Sequence, residues 1–64
     1  MNYSLLVYNF NPGTDDEILA VSGLFKTEQE ALDRAKRWEE FSVEHEIRTS
    51  RTEIFNGNDL IHSL

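Results

Sequence analysis

The sequence predicts a small α+β fold in the order ββαββ, an antiparallel sheet with one helix packed on one face. Two observations lead to this prediction: one segment with helical periodicity lies between two β-rich segments, and turn formers separate the strands on either side of it. The 64 residues make one domain, residues 1–64. A chain of this length buries only about 60% of its unfolded surface, so its stability depends on tight packing or on association.

The helix is predicted from Thr27 to about His45. Thr27 and Glu30 have the spacing of a capping box, in which the hydroxyl accepts from the third helical amide and the carboxylate accepts from the amide of Thr27. One face is apolar at a period of ~3.6 residues. Its members are Ala31, Ala35, Trp38 and Ser42, with Leu32 at the edge. We expect this stripe to face the sheet, with an acceptor for the indole N–H of Trp38.

Two strands precede the helix, from Tyr3 to Phe10 and from Glu17 to Phe25, joined by a loop over residues 11–16. Strict alternation places Tyr3, Leu5 and Val7 on one face of the first strand and Leu6, Tyr8 and Phe10 on its other face. In the second strand it places Ile18, Ala20 and Leu24 on one face and Leu19, Val21 and Phe25 on the other. Gly23 marks either a bulge or a close approach of another group.

After the helix, residues Ile47 to Phe55 are predicted to form a third strand. Ile47 and Phe55 share one parity and Ile54 has the other, which indicates either a bulge or an ambiguous register. Asn56-Gly57 is typical of a type I′ hairpin turn. The last apolar residues, Leu60, Ile61 and Leu64, then form either a short strand or a frayed tail.

The first hairpin has apolar side chains on both faces, whereas a single helix covers only one. The second face therefore needs other cover, and three alternatives stay open: a second copy of the chain, a different protein, or folded-over termini.

Twelve acidic residues against six basic ones produce a formal net charge of −6. This charge disfavours direct binding to nucleic acid or to an anionic membrane, and favours a protein partner with a basic surface. Keeping a small protein soluble is an equally simple reason for it. The absence of cysteine is typical of a cytoplasmic protein. Residues 1–10 are too short and too polar to span a bilayer.

No catalytic motif is recognisable, and we expect neither enzymatic activity nor a bound cofactor or metal. A domain this small rarely has room for a substrate pocket. Glu40, Glu44, His45 and Glu46 resemble a metal cluster in composition, but their spacing matches no zinc or calcium motif, which favours a solvated charged segment. The aromatic residues are expected to pack in the core, because base stacking also requires a positive groove.

Charge along the helix is uneven. In its middle, acidic and basic residues four apart are expected to pair: Glu30 with Arg34, Asp33 with Arg37, and Lys36 with Glu40. Its carboxyl end carries the predicted partner-binding residues, Glu39, Glu40, Phe41, Glu44 and Glu46. Carboxylates there oppose the helix dipole, so stability alone does not explain them. The alternatives are a helix that ends early near Phe41, solvated glutamates, and a Phe41 that packs under the third strand.

The run Gly-Leu-Phe-Lys-Thr-Glu-Gln-Glu-Ala at residues 23–31, between an N-terminal hairpin and a strand beginning near Ile47, resembles small uncharacterised proteins of bacteria and their phages. The resemblance implies no activity and no site residues. The leading hypothesis is a non-enzymatic acidic binding protein, a phage-encoded inhibitor that docks on a basic, nucleic-acid-binding surface. The alternative is a structural protein that self-associates through an uncovered apolar sheet face.

Overall fold

The structure, a computed structural model, describes residues 2–64. Its elements are β1 (Tyr3–Phe10), β2 (Glu17–Phe25), α1 (Glu28–Glu44), β3 (Thr49–Asn56) and β4 (Asp59–Ser63). The strands form one antiparallel sheet in the order β2-β1-β3-β4, and α1 packs across β1, β2 and β3 on one face. The predicted ββαββ fold is confirmed.

The core lies between α1 and the two central strands. Its buried members are Leu5, Val7, Ala31, Ala35 and Ile54. The alanines have no bulk beyond Cβ, so the helix backbone approaches the sheet closely. Leu32 and Trp38 pack at the sides of this core, and Ser42 is buried with its hydroxyl donating to the Glu39 carbonyl at 2.9 Å. The predicted apolar stripe of the helix is therefore confirmed.

The helix begins as predicted, with one difference in the cap. Thr27 is the N-cap, and its hydroxyl accepts from the Glu30 amide at 3.2 Å. The Glu30 carboxylate, however, accepts from the Thr27 hydroxyl at 3.1 Å, where a capping box would use the Thr27 amide. The hydroxyl thus serves as acceptor and donor within the same turn.

The predicted ion pairs in the middle of the helix do not form. Among the described residues, none of the pairs Glu30–Arg34, Asp33–Arg37 and Lys36–Glu40 is a salt bridge. The Asp33 carboxylate instead accepts a hydrogen bond from the side-chain amide of Gln29 at 2.9 Å. Exposed pairs at this spacing contribute only about 0.2–0.5 kcal/mol, too little to hold long side chains together.

A bulge in β2 overturns the predicted faces of that strand. Val21 lies opposite Val7, but Leu19 lies opposite Tyr8, which leaves Ala20 as the extra residue. The alternation shifts by one residue at this point. Ile18 consequently joins Val21 and Phe25 on the helix side, and Leu19 joins Leu24 on the other side.

Gly23 lies outside this bulge, and its role is the close approach. A Cβ there would lie 3.0 Å from Cε2 of Phe25, which curls back beside its own strand.

The third strand begins two residues later than predicted. Ile47 belongs to the end of the helix, because its amide donates to the Ser42 carbonyl at 2.8 Å. The predicted bulge is present: Arg51 lies opposite Tyr8 and Thr49 opposite Asn9, so Ser50 is the extra residue. The parity argument for it does not hold, however, because Ile47 lies outside the strand.

The turn of the second hairpin is also shifted by one residue. Asn56 pairs with Asp59, so the two turn residues are Gly57 and Asn58. Gly57 has φ 62°, whereas Asn58 keeps a negative φ. A positive φ at the first central position alone is the pattern of a type II′ turn, and the predicted type I′ turn is wrong.

The C-terminal segment extends the sheet. Leu64 and Thr52 exchange backbone hydrogen bonds of 2.9 and 3.2 Å, which continues the pairing of β4 along β3. This segment lies in the plane of the sheet and does not fold over its second face.

The face of the sheet opposite α1, here called the open face, is covered by no described segment. Its rows follow from the strand register. The first row across the sheet is Leu24, Ser4, Phe55 and Leu60, and the second is Ser22, Leu6 and Glu53. The third row is Leu19, Tyr8 and Arg51, and the fourth is Glu17 and Phe10.

Within residues 2–64, no helix is long and apolar enough to cross a membrane.

Candidate protein-binding site

The predicted partner-binding residues lie together at the carboxyl end of α1. We call Glu39, Glu40, Phe41, Glu44 and Glu46 the acidic helix end. The helix continues to Glu44, so the alternative that it ends near Phe41 is wrong. All five residues are exposed, and the last turn contains no basic residue to offset the negative end of the dipole.

The backbone after the helix forms a Schellman motif. The Glu46 amide donates to the Val43 carbonyl at 3.3 Å, and the Ile47 amide donates to the Ser42 carbonyl at 2.8 Å. The motif requires a left-handed residue at the position after the cap, where glycine is usual. Here that residue is Glu46, with φ 57°. A charged side chain therefore occupies a strained backbone position.

Phe41 is the aromatic residue of this surface. Its ring centroid lies 5.3 Å from that of Trp38 and 4.2 Å from that of His45, so three rings form a row along the helix. The side chain is 44% exposed, which excludes the alternative that it packs under β3. The row leads from the half-buried Trp38 to exposed residues among the glutamates.

Val43 belongs to the same surface, although it is not among the binding residues predicted from the sequence. It is 74% exposed and lines a shallow depression together with Lys36, Glu39, Glu40 and Glu44. The signal was available, because a valine outside the apolar stripe and among glutamates has no place in the core.

An open groove of about 840 Å³ lies between α1 and the first half of β3. Leu32, Trp38, Val43 and Ile47 supply apolar lining, and Glu39 borders both this groove and the acidic helix end. The groove is half open to solvent, so it is a surface groove and not an enclosed pocket. The groove arises because the helix crosses over β1 and leaves the start of β3 exposed on the helix side.

The groove shows no assembled catalytic or metal-binding chemistry. Its carboxylates, Asp33 and Glu39, are exposed on the helix surface, so burial does not desolvate them. In the part of the chain that the structure describes, no group of three or more histidine, aspartate or glutamate side chains converges to hold a metal ion.

Two buried polar atoms have no hydrogen-bond partner within residues 2–64: Nε1 of Trp38 and Oδ1 of Asn9. The expected acceptor for the Trp38 indole is thus not found. An unmet buried donor costs about 1–3 kcal/mol, so Trp38 contributes less to stability than its area suggests.

A charged cluster at one end of the open face was not foreseen. Arg51 lies 3.5 Å from a carboxylate oxygen of Glu17 and 3.5 Å from one of Glu53, with its guanidinium 4.3 Å above the Tyr8 ring. The Ser50 hydroxyl also donates to Glu17. These residues come from β2 and β3 and meet across β1, so finding them required the strand order.

The helix start has a contact of the same kind. His62 Nε2 on β4 lies 3.1 Å from a carboxylate oxygen of Glu28, linking the edge strand to α1.

Comparison with protein-family models, curated proteins and solved structures finds no match to this chain.

Proposed function

We propose that this chain is a non-enzymatic binding protein that docks its acidic helix end on a basic surface of a partner protein in the cytoplasm. One observation carries the proposal: glutamates occupy helix-end positions at which folding disfavours them. Glu46 sits in a left-handed conformation and Glu44 lies at the negative end of the helix dipole, with Glu39 and Glu40 about one turn before it.

The shape of the surface supports the same function. Phe41 is an exposed aromatic residue on the same helix end as Glu40 and Glu44, and its ring stacks on Trp38 and His45. Binding hot spots combine an aromatic anchor of this kind with a polar rim. The adjoining groove offers an apolar lining for a side chain of the partner.

The charge pattern favours a nucleic-acid-binding surface as the target. Glu40 and Glu44 lie one turn apart, ~6 Å along the helix axis. Duplex DNA carries one charge per ~3.4 Å of each strand, so carboxylates at this spacing reach roughly half the charge density of one strand. A protein of this kind inhibits by occupying the site as a phosphate mimic.

The test begins with affinity purification from the native host, followed by a binding titration with the purified partner. We expect binding to weaken as salt rises, and duplex DNA to compete for the partner. Changing Glu39, Glu40, Glu44 and Glu46 to Gln should abolish binding. Changing Phe41 to Ala should weaken it without altering its salt dependence.

A matched control separates the site from overall charge. Changing Asp15, Asp16 and Asp59 to Asn and Glu30 to Gln also removes four carboxylates, but none from the acidic helix end or the groove. This variant should keep nearly all of the affinity. The proposal fails if both variants bind alike, or if the Gln variant retains strong, salt-insensitive binding.

A further inference from the structure

The open face carries large apolar side chains among its charged residues and serines. Sheets with one face in water normally alternate apolar and polar residues, with the polar set outward. Here Leu6, Tyr8, Phe10 and Phe55 lie outward on the two central strands, and Leu24 on β2 is 69% exposed. Apolar patches of this extent on soluble proteins are usually covered.

The charges of this face cancel. Glu17 and Glu53 are matched by Arg51 and by Arg48, whose guanidinium lies 4.7 Å above the Phe10 ring. The chain's formal net charge of −6 therefore comes entirely from residues elsewhere. Two copies repel each other through their helix sides and loops, but not through their open faces.

The size of the face is sufficient for a dimer. Four strands at ~4.8 Å spacing and about eight residues at ~3.3 Å each make a face of about 19 by 26 Å. Two such faces bury about 1,000 Å² in total, and pleated side chains add to this flat projection. A specific interface begins at about this area.

We propose that the open face binds the open face of a second copy of this chain, forming a symmetric dimer. The two sheets stack face to face, and the two helices lie on the outside. Each acidic helix end stays exposed, so the dimer presents two of them. This inference does not depend on the proposed partner binding and remains testable without a partner.

Sedimentation equilibrium over a hundredfold range of concentration tests the dimer. We expect a mass twice that of the 7.5 kDa chain. Salt should strengthen this association, because it screens the repulsion between acidic chains, whereas it should weaken docking on a basic partner. The opposite salt dependences make failure of one proposal distinguishable from failure of the other.

Leu24→Lys identifies the face. Each symmetric dimer contains the substitution twice, so we expect the dimer Kd to rise at least about a hundredfold. The variant also makes the chain less acidic, which by itself would favour association. Val43→Lys makes the same charge change at a 74% exposed position on the helix and should leave the dimer intact.

Wild-type protein supplies the check that needs no variant. In a sample mixing labelled and unlabelled chains, isotope-filtered NOEs should connect the Leu24, Leu60 and Phe55 side chains of one copy to the other. A monomeric mass throughout, a dimer that survives Leu24→Lys, or intermolecular NOEs from the helix would each overturn the proposal. A monomeric mass would mean that the open face binds a different partner or is exposed to solvent.

Discussion

At Glu46 two stability costs coincide in one side chain. Its φ of 57° places a residue with a Cβ in the left-handed region, and its carboxylate lies at the negative end of α1. The first cost is about 1–2 kcal/mol and the second is a few tenths. The backbone hydrogen bonds of the Schellman motif would form equally well with glycine, so these bonds do not explain the glutamate.

Glu46→Gly should therefore stabilise the protein. We expect the free energy of unfolding to rise by about 1 kcal/mol, because glycine adopts the left-handed conformation freely and the carboxylate is removed. Urea unfolding monitored by Trp38 fluorescence measures the change.

Glu46→Gln separates the two contributions to this gain, because it removes the charge and keeps the strain. It should contribute only a few tenths of a kcal/mol. Equal gains from both variants would show that charge, rather than backbone conformation, is the source of the cost.

At the scale of elements, the β3–β4 hairpin depends on the conformation of one turn residue. Gly57 has φ 62°, and a Cβ built on it meets nothing within 4 Å. Gly57→Ala should lower the free energy of unfolding by about 1 kcal/mol for conformational reasons alone. Thermal or urea unfolding measures the loss.

The matched control lies in the same turn. Asn58→Ala changes an exposed residue with a negative φ, so its effect should stay within about 0.5 kcal/mol. If the two alanine variants lose equal stability, the positive φ at Gly57 is not what the turn requires.

The local signals of the sequence predicted the elements well. The cap at Thr27 and the apolar stripe through Ala31 and Ala35 located the helix, and the β-rich runs located β1 and β2. The errors lie where tertiary contacts decide. Ile47 is apolar and β-branched like a strand residue, yet its amide donates a hydrogen bond to the Ser42 carbonyl at the end of the helix.

Bulges account for most of the remaining errors. A single extra residue at Ala20 reverses which side chains face the helix, and periodicity alone does not locate it. For the site, the composition of the acidic helix end was readable from the sequence. The strain at Glu46, the stacking of Phe41 and the adjoining groove depend on the folded backbone.

At the scale of the whole molecule, the fold has two layers and two different outer surfaces. The helix layer carries much of the excess negative charge, whereas the charges on the open face of the sheet balance and large apolar side chains lie beside them. The core between the two layers contains only a few fully buried side chains, among which Leu5, Val7 and Ile54 are the largest. A core this small makes a second apolar interface a substantial share of the total stability.

The dimer therefore predicts that thermal stability depends on protein concentration. When folding requires association, dilution favours unfolded chains, and for a domain of this size Tm should rise by about 3–6 °C per tenfold increase in concentration. Calorimetry or circular dichroism at several concentrations measures this slope. Val43→Lys should keep the slope, whereas Leu24→Lys should melt at a lower temperature that does not change with concentration. A wild-type Tm that stays constant across the same range would mean that the open face contributes nothing to stability through a second copy.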